Sequence, residues 1–471
     1  MATNQNLETD NTSEPLIVQQ KDDELLEIHS DGMWMVCLST FVSVFGAFEF
    51  GSCVGYSAPT QFGIMDDIGL SLAEYSVFGS ILNIGAMIGA ISSGRIADFF
   101  GRKGAMRLAS TICIIGWLAV YFATGAILLD LGRFIMGYGI GILSYVVPVF
   151  ISEIAPKNLR GALATANQLL IVIGISVAFT VGAFVNWRIL ALTGIVPCII
   201  LLVGLCFIPE SPRWLAKVGH QREFEAALRA LRGQNANISQ EEAEIQDYIE
   251  SLQQFPKVTI IDLFHKKYIR SVIVGVGLMV FQQFGGINGI VFYASQIFVS
   301  AGFPPNVGNI LYALLQVVVT AVGATLIDRA GRRPLLMVSA SGLLAGSLLI
   351  AMSFYFKTFQ YFPKSVPILA LAGVLLYIGS FSVGMGAVPW VVMSEIFPIN
   401  VKGTAGSLVT LVNWLGSWVT SYTFNLLVTW SSYGTFFFYA AICAMALIFI
   451  FKVVPETKGR TLEDIQASMN S

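Results

Sequence analysis

The stretch SEIAPKNLRG at Ser152–Gly161 recurs 242 residues later as SEIFPINVKG at Ser394–Gly403. Two shorter stretches recur in the same order. DFFGRK at residues 98–103 returns as DRAGRR at residues 328–333, and Pro-Glu-Ser at 209–211 returns as Pro-Glu-Thr at 455–457. The offsets lie between 230 and 246 residues in a chain of 471. This order and spacing indicate a tandem duplication, so the chain consists of two homologous halves.

Composition places both halves in a membrane. Hydrophobic residues make up 55% of the chain and charged residues only 12%, about half the charge of a soluble globular protein. A helix of about 20 apolar residues crosses the hydrocarbon core. Twelve such runs are present, six in each half, and the sequence therefore predicts an all-α membrane protein with twelve transmembrane helices in two pseudo-symmetric six-helix bundles. The runs are 33–55, 75–97, 106–127, 130–152, 164–185, 189–208, 271–295, 308–328, 334–355, 367–392, 405–428 and 434–453.

The runs also divide the chain into domains. We expect a disordered cytosolic N-terminus (1–30), an N-terminal six-helix bundle (31–208), a cytosolic linker with short helices (209–270), a C-terminal six-helix bundle (271–453) and a cytosolic tail (454–471). Lys and Arg concentrate on one side of the predicted membrane, and the other side has only Arg188, Lys357 and Lys364. Positive charge marks the cytosolic side. Both termini are therefore predicted to be cytosolic.

Several function classes are disfavoured by the same residues. The apolar runs contain no Ser/His/Asp or Cys/His constellation, which argues against an enzyme. The basic residues lie in short connections between runs, which argues against a nucleic-acid partner. All six cysteines fall in apolar runs without metal-ligand spacing, and we interpret them as small core residues. We expect no metal and no cofactor, a lipid bilayer as surroundings, and leave the oligomeric state open.

Further motifs carry a resemblance to a known family. Gly94–Lys103 (GRIADFFGRK) resembles the loop motif of the major facilitator superfamily. Pro209–Trp214 (PESPRW), Gln282–Asn288 (QQFGGIN) and Pro455–Thr461 (PETKGRT) resemble its sugar porter family. Glu49–Pro59 (EFGSCVGYSAP) is most similar to the plant branch named for early response to dehydration. The resemblance implies the major facilitator fold and transport of a monosaccharide, such as a hexose, by alternating access.

The resemblance also implies a sugar site made of amides and aromatic rings. Amides donate and accept hydrogen bonds without net charge, as sugar hydroxyls require. A single amide in a membrane helix could equally bond a neighbouring helix, but a set of six favours a ligand. The amides that match sugar-contacting positions are Gln168, Gln282, Gln283, Asn288, Gln316 and Asn413, and the predicted aromatic walls are Phe292, Tyr293, Trp390 and Trp414. Gln316 departs from the usual Asn of the family.

The duplicated loop motifs imply a cytosolic gate. In the resembled family, a charged network closes the cytosolic side when the carrier faces outward. We expect Arg102, Arg332 and Arg333 to reach the carboxylates that end the fourth and tenth helices, because a guanidinium pairs bidentately with a carboxylate. The alternative is that these charges only set topology. The predicted gate residues are Asp98, Arg102, Glu153, Arg160, Asp328, Arg332, Arg333, Glu395 and Lys402.

Glu49 is the candidate for proton coupling. Proton-driven members of the resembled family carry an Asp in the first helix, and alignment of Phe50–Gly55 puts Cys53 at that position. Glu49 lies four residues earlier, on the same helical face, and an ionisable group inside a membrane helix is a candidate functional site. Two interpretations stay open: proton symport through Glu49, and facilitative uniport in which Glu49 is a structural hydrogen-bond partner.

Two further questions concern function and location. A non-transporting sugar sensor is the main rival from another class, although family sensors usually carry a long cytosolic tail. Glu14–Ile17 and Asp22–Leu26 resemble acidic dileucine sorting signals, which in the resembled branch accompany residence in the vacuolar membrane. The alternative is an acidic tail with incidental leucines, in which case the plasma membrane is possible.

Overall fold

The computed structural model describes residues 30–156, 159–234, 236–254, 259–265, 268–397 and 399–458. This part of the chain is built from helices and short connections. The first half contains α1 Ser30–Gly55, α2 Ser57–Ile68, α3 Leu72–Tyr121, α4 Ala126–Ile154, α5 Arg160–Gly182 and α6 Trp187–Gly204. The second half contains α10 Ile269–Phe284, α11 Ile287–Phe292, α12 Ala294–Ala301, α13 Pro305–Ala330, α14 Arg332–Thr358, α15 Val366–Ser380, α16 Val388–Ile396, α17 Ile399–Trp430 and α18 Ser432–Val453.

The second and third predicted runs are joined in α3. This element is 50 residues long, and its helical geometry is interrupted at Gly101, which has φ 77° and ψ 173°. The predicted loop between these runs is therefore a kink at a glycine rather than an extended connection. The equivalent point of the second half, between α13 and α14, is Gly331 with φ 89°. Positive φ is readily adopted by glycine alone, so one glycine reverses the chain direction in each half.

Ten helices of the described chain are long and apolar enough to cross a membrane. One of them, Leu72–Tyr121, contains two spans because of its kink. The remaining span, the eleventh in chain order, lies in α17, a 32-residue helix in which Ser, Thr and Asn residues recur. The prediction of twelve transmembrane helices is confirmed.

Two spans of the second half are broken at the level of the bundle core. The seventh span consists of α10, α11 and α12, and Gly286 between α10 and α11 has φ 103°. The tenth span consists of α15 and α16, separated by a π-helical turn at Phe381–Met385. Pro389 in the first turn of α16 lacks a backbone donor. Both breaks expose backbone carbonyl groups to side chains inside the bundle.

The linker between the halves contains short amphipathic helices. They are α7 Pro212–Val218, α8 Gln221–Arg232 and α9 Ser239–Gln254, followed by a 3₁₀ turn at Ile261–Phe264. Leu215, Phe224, Leu228, Ile238 and Ile245 form their small core. The Arg232 guanidinium donates to the carbonyl oxygen of Ile154 at 3.0 Å, so the linker is attached to the C-terminal end of α4.

Candidate functional site

The amide of Gln283 on α10 is the centre of a hydrogen-bonded cluster. Its Nε2 donates to Oδ1 of Asn413 on α17 at 2.6 Å and lies 3.4 Å from Oε1 of Gln282. Nδ2 of Asn288 on α11 donates to Oε1 of Gln283. The break at Gly286 makes this last contact possible because it turns the start of α11 back toward α10. Four of the six predicted amides are thus brought together in one place.

Gln282 connects the cluster to the broken tenth span. Its Nε2 donates to the carbonyl oxygens of Met385 and Gly386, the latter at 3.1 Å. These carbonyls lie at the end of the π-helical turn, where the regular helical hydrogen bonds stop. Trp390 follows one turn later and is half-buried. The break in the tenth span near Gly386 and Pro389 gives Gln282 its acceptors.

Gln316 and Gln168 are not hydrogen-bonded to this cluster. Gln316 is buried on α13, and its Oε1 accepts no hydrogen bond from the described residues. Tyr312 and Thr320, four residues on either side, are also buried, with hydroxyl oxygens that make no hydrogen bond in the described part of the chain. Gln168 is half-buried on α5. Tyr312 and Thr320 were not predicted, although their spacing of four residues from Gln316 marks one face of a helix.

The predicted aromatic walls divide into two groups. Trp414 on α17 faces Phe50 on α1, with ring centroids 5.9 Å apart, and is next in sequence to Asn413. Phe292 and Tyr293 have no exposed surface. The ring of Tyr293 stacks on Phe424 at 5.2 Å, with only 3° between the ring planes. In this conformation Phe292 and Tyr293 are packing residues.

Polar contacts between the two halves close one end of the molecule. Nδ2 of Asn83 on α3 donates to Oγ of Ser421 on α17 at 2.9 Å. Nδ2 of Asn425 donates back to Oγ of Ser76 at 2.8 Å. At the same end Nε2 of Gln61 on α2 donates to Oε1 of Gln296 on α12 at 2.8 Å. This end is opposite the Arg- and Lys-rich loops.

Residues of the predicted gate in the first half form an ion-pair network. Arg102 pairs bidentately with Glu153, with Nε to Oε2 at 2.8 Å and Nη2 to Oε1 at 2.7 Å. Asp98 lies 3.3 Å from the Arg102 guanidinium and 2.9 Å from Nζ of Lys217. Oγ of Ser211 donates to Glu153 at 2.6 Å. The network joins α3, α4 and α7 within one half.

The second half has a similar network, which differs from the prediction at Arg333. Nη2 of Arg332 lies 2.9 Å from Oε1 of Glu395, as expected. Arg333 instead donates to the carbonyl oxygen of Phe451 and lies over its ring, 5.5 Å from the centroid. The expectation that Arg333 reaches Glu395 is wrong, because successive helical residues point about 100° apart. Lys402 is exposed but near enough for its charge to act on Glu395. The side chains of Arg160 and Asp328 lie outside the described residues.

Comparisons with known proteins identify this architecture. Residues 31–469 match the family model described as sugar (and other) transporter. The chain is 61% identical to the Arabidopsis thaliana protein named Sugar transporter ERD6-like 7, over 98% of this chain and 99% of that one. The chain belongs to the sugar transporter family. The resemblance drawn from its motifs is confirmed, and so is the prediction of a transporter rather than an enzyme.

Solved structures give the same fold for this sugar transporter. The inward-open conformation of the xylose transporter XylE from E. coli matches with a TM-score of 0.78 and 26% identity, over 92% of this chain and 99% of that one. XylE bound to 6-bromo-6-deoxy-D-glucose matches with a TM-score of 0.74 and 25% identity, over the same shares. The chain therefore has the major facilitator fold, with two pseudo-symmetric bundles of six helices.

Sequence reasoning missed two carboxylates that connect to the gate of this transporter. Glu210 accepts hydrogen bonds from the backbone N–H groups of Arg102 at 3.2 Å and Lys103 at 3.0 Å. Glu456 accepts from the N–H groups of Arg332 at 3.0 Å and Arg333 at 3.1 Å. Each carboxylate thus caps the helix that follows the gate glycine, where unpaired N–H groups favour an anion. The repeated Pro-Glu pair was the available signal.

The two caps differ in electrostatics. Burial raises the pKa of Glu210, even though backbone N–H groups donate to its carboxylate. Burial also opposes the charge of Glu456, but hydrogen bonds from the backbone N–H groups of Lys458, Arg332, Arg333 and Thr457 outweigh it and lower the pKa of Glu456. The capping carboxylate of the second half, Glu456, therefore ionises more readily than Glu210, its counterpart in the first half.

Glu49 of the transporter is completely buried inside the first bundle. Its Oε1 accepts from Nε1 of Trp117 on α3 at 2.6 Å and from Sγ of Cys53 at 3.2 Å. Sγ of Cys113 on α3, Sγ of Cys198 on α6 and a carboxylate oxygen of Glu49 lie within 4.8 Å of one another. We interpret these thiols as the polar surroundings of Glu49. Their positions far apart in the sequence gave no sign of this grouping.

Arg133 on α4 lies next to this region without meeting the carboxylate. It has no exposed surface, so it is not an interfacial anchor. Its guanidinium donates to the carbonyl oxygen of Cys53 at 2.8 Å and to the hydroxyl of Ser57, and it lies 4.9 Å from the ring centroid of Phe78. Cys53 therefore stands between a buried cation on one side and a buried carboxyl group on the other.

Proposed function

We propose that this sugar transporter carries a monosaccharide, such as a hexose, and that the amide cluster around Gln283 holds the sugar. The observation that carries the proposal is the convergence of Gln282, Gln283, Asn288 and Asn413 from α10, α11 and α17. These amides bond one another inside an apolar bundle. A sugar with several hydroxyl groups can replace those bonds with its own, because each hydroxyl both donates and accepts.

The sugar crosses the membrane by alternating access, in which the two halves open first on one side and then on the other. The two halves are in polar contact at the Ser421 end, and each charged network joins helices of its own half. Opening the other way requires the contacts at the Ser421 end to separate. The sugar site lies beside the contact between Trp414 and Phe50, so both halves meet where the sugar binds.

Counterflow in proteoliposomes tests this proposal. Radiolabelled glucose should accumulate transiently in vesicles preloaded with unlabelled glucose, and Gln283→Leu should abolish this because it removes the centre of the cluster. Gln246→Leu, on the linker helix α9, is the matched control and should transport normally. A protein that binds glucose without counterflow would be a sensor. A panel of competing hexoses and pentoses then identifies the substrate.

For energy coupling, we infer that Glu49 carries the coupling proton. The carboxyl group is buried, and the groups that face it are Cys53 on α1, Cys113 and Trp117 on α3, and Cys198 on α6. Arg133 donates to the Cys53 carbonyl and to Ser57 rather than to Glu49. A carboxyl group without a basic partner is free to exchange a proton when its surroundings change. The structural neighbour XylE is a proton:xylose symporter.

A pH gradient separates symport from uniport. Wild-type vesicles should accumulate sugar against its gradient when the gradient of protons is imposed, and Glu49→Gln should lose this while it keeps counterflow. Glu74→Gln is the control, because Glu74 is an exposed carboxylate that caps α3. If wild-type flux never runs uphill and Glu49→Gln is unchanged, the transporter is a uniporter.

We also propose residence in the vacuolar membrane with both termini in the cytosol. The support is the pair of acidic dileucine-like stretches, which lie outside the described residues, and the bias of Lys and Arg to one side. A fluorescent fusion should mark the vacuolar membrane in plant cells. Leu25→Ala with Leu26→Ala should move it to the plasma membrane, and an unchanged distribution would remove the sorting role of this pair.

A further inference from the structure

A row of three buried polar groups runs along α13 without hydrogen-bond partners. Oη of Tyr312, Oε1 of Gln316 and Oγ1 of Thr320 make no hydrogen bond to the described residues, and none of these side chains is more than 7% exposed. Four residues separate each from the next, so the three lie on one face of the helix. About 90% or more of the buried polar groups in proteins have a partner. Three exceptions on one helix face therefore require a physical explanation.

This face of α13 belongs to a contact between the two halves. Oγ of Ser176 on α5 donates to the carbonyl oxygen of Ala313 at 3.2 Å. The ring of Phe179, also on α5, has its centroid 4.9 Å from that of Tyr312, with 43° between the ring planes. Phe179 and Tyr312 both have no exposed surface. The ring of Tyr312 is therefore covered in part by a residue of the other half.

The contact continues to the closed end at Ser421. Nδ2 of Asn306 donates to the carbonyl oxygen of Ala183, which directly follows α5, at 3.1 Å. Residue numbers thus rise along α13 as they fall along α5. By the same register, Thr320 is opposite the turn that contains Gln168. The row of unpaired groups therefore leads from the closed end to the level of a predicted sugar amide.

Alternating access gives this row two environments. Opening the Ser421 end separates α5 from α13, because these helices belong to different halves. Phe179 then moves away from Tyr312, whose hydroxyl becomes accessible to water or to a sugar that enters from this side. The hydrogen-bond partner that is missing in the closed conformation is thus available in the open one. Gln316 lies one helical turn further along, so a sugar held by Gln316 is within reach of that hydroxyl.

We propose that Tyr312 contacts the sugar in the conformation that is open at the Ser421 end, and not in the closed conformation seen here. The inference rests on the proposed function, because it takes Gln316 as a sugar amide. A phenol suits this role, since its hydroxyl donates and accepts and its ring offers an apolar face to the C–H groups of a sugar. A contact made in only one conformation also lets the sugar shift the equilibrium between the two.

Double electron–electron resonance measures the effect of glucose on this equilibrium. Spin labels at Ile127 and Phe362, exposed positions at this end in the two halves, are introduced together with Cys37→Ser and Cys206→Ser, which remove the exposed thiols. A short distance reports the closed conformation and a long distance the open one. The measured quantity is the factor by which saturating glucose changes the ratio of long to short distances. Tyr312→Phe should reduce this factor by roughly 2- to 10-fold, the contribution of one hydrogen bond.

A second tyrosine supplies the matched control. Tyr56 is buried in the first half, and its hydroxyl donates to the carbonyl oxygen of Trp187 in the same half at 2.8 Å. Tyr56→Phe should therefore leave the glucose factor unchanged. Without sugar, Tyr312→Phe should also move the ratio toward the short distance, because it removes an unpaired hydroxyl from the closed conformation.

The outcomes separate a sugar contact from a structural role. A glucose factor that is equal in Tyr312→Phe and its parent overturns the contact, since a purely structural hydroxyl would change the sugar-free ratio alone. A sugar-free ratio that stays the same, or moves toward the long distance, overturns the claim that the hydroxyl gains a partner when this end opens. Failure of the proposed function is recognised separately, because glucose counterflow would then be absent from the parent itself.

Discussion

Two hydrogen bonds between the halves should contribute a calculable free energy to the closed end. Ser76 and Ser421 each accept a hydrogen bond from a buried amide of the other half, and all four residues are at most 2% exposed. Ser76→Ala with Ser421→Ala leaves the donors of Asn83 and Asn425 unpaired in this conformation but free to meet water when this end opens. An unsatisfied buried donor costs about 1–3 kcal/mol. Taking the lower bound for each gives about 2 kcal/mol, or roughly a 30-fold shift toward the conformation open at this end.

Double electron–electron resonance between two spin labels measures this shift. Spin labels at Ile127 and Phe362, exposed positions at this end in the first and second halves, report the separation after the exposed thiols of Cys37 and Cys206 are replaced by Ser. The double alanine variant should populate a longer distance than its parent. Ser92→Ala is the control, because its hydroxyl bonds within the first half. An unchanged distance distribution would show that these hydrogen bonds do not hold the halves together.

Three further predictions concern the caps and the sugar site. Gly101→Ala should lower the melting temperature, because positive φ costs about 1–2 kcal/mol for an L-residue and the new Cβ would lie 2.6 Å from Oε2 of Glu210. The pKa of Glu456 is lowered, so its carboxylate contributes stability above the unfolded pKa, and this stability is lost as pH falls through the folded pKa. The pKa of Glu210 is raised, so its ionised carboxylate reduces stability at neutral pH. At neutral pH, Glu456→Gln should therefore destabilise the protein more than Glu210→Gln, and melting curves measured from neutral to acidic pH should converge. Thr320→Val should raise the KM for sugar through loss of an unpartnered buried hydroxyl, whereas Thr325→Val, whose hydroxyl bonds Val322, should not; equal KM values would remove Thr320 from the sugar path.

The sequence predicted the features that depend only on residues close together in the chain. Twelve apolar runs predicted the twelve spans, because a run of about 20 apolar residues is sufficient to cross the hydrocarbon core. The amides were predicted as a set because the family resemblance places them at sugar-contacting positions. Their arrangement was not predictable, since the contact of Gln283 with Asn413 depends on how α10 meets α17.

Contacts between distant segments account for what the sequence did not show. The Pro-Glu repeat was visible, but the role of Glu210 depends on the backbone angle at Gly101, which turns the N–H groups of Arg102 and Lys103 toward the carboxylate. Glu49 was visible as a charge in a membrane helix, yet its partner Trp117 is 68 residues away. Arg333 was assigned to the wrong partner because residue type alone does not say which way a side chain points from a helix.

Some features of the transporter occur in both halves, and others occur in only one. Positive-φ glycines, capping carboxylates and ion pairs occur at matching positions in both halves, as the predicted gate requires. Glu49 belongs only to the first half, and the amide cluster only to the second. Phe50 is next to Glu49, Trp414 is next to Asn413, and their rings lie 5.9 Å apart across the interface. A change of protonation at Glu49 that shifts α1 would therefore reach the proposed sugar amides through this ring contact, and a sugar bound at Asn413 would act on α1 by the same route. Thermodynamic coupling is reciprocal, and a contact between the sequence neighbours of Glu49 and Asn413 gives it a short physical path.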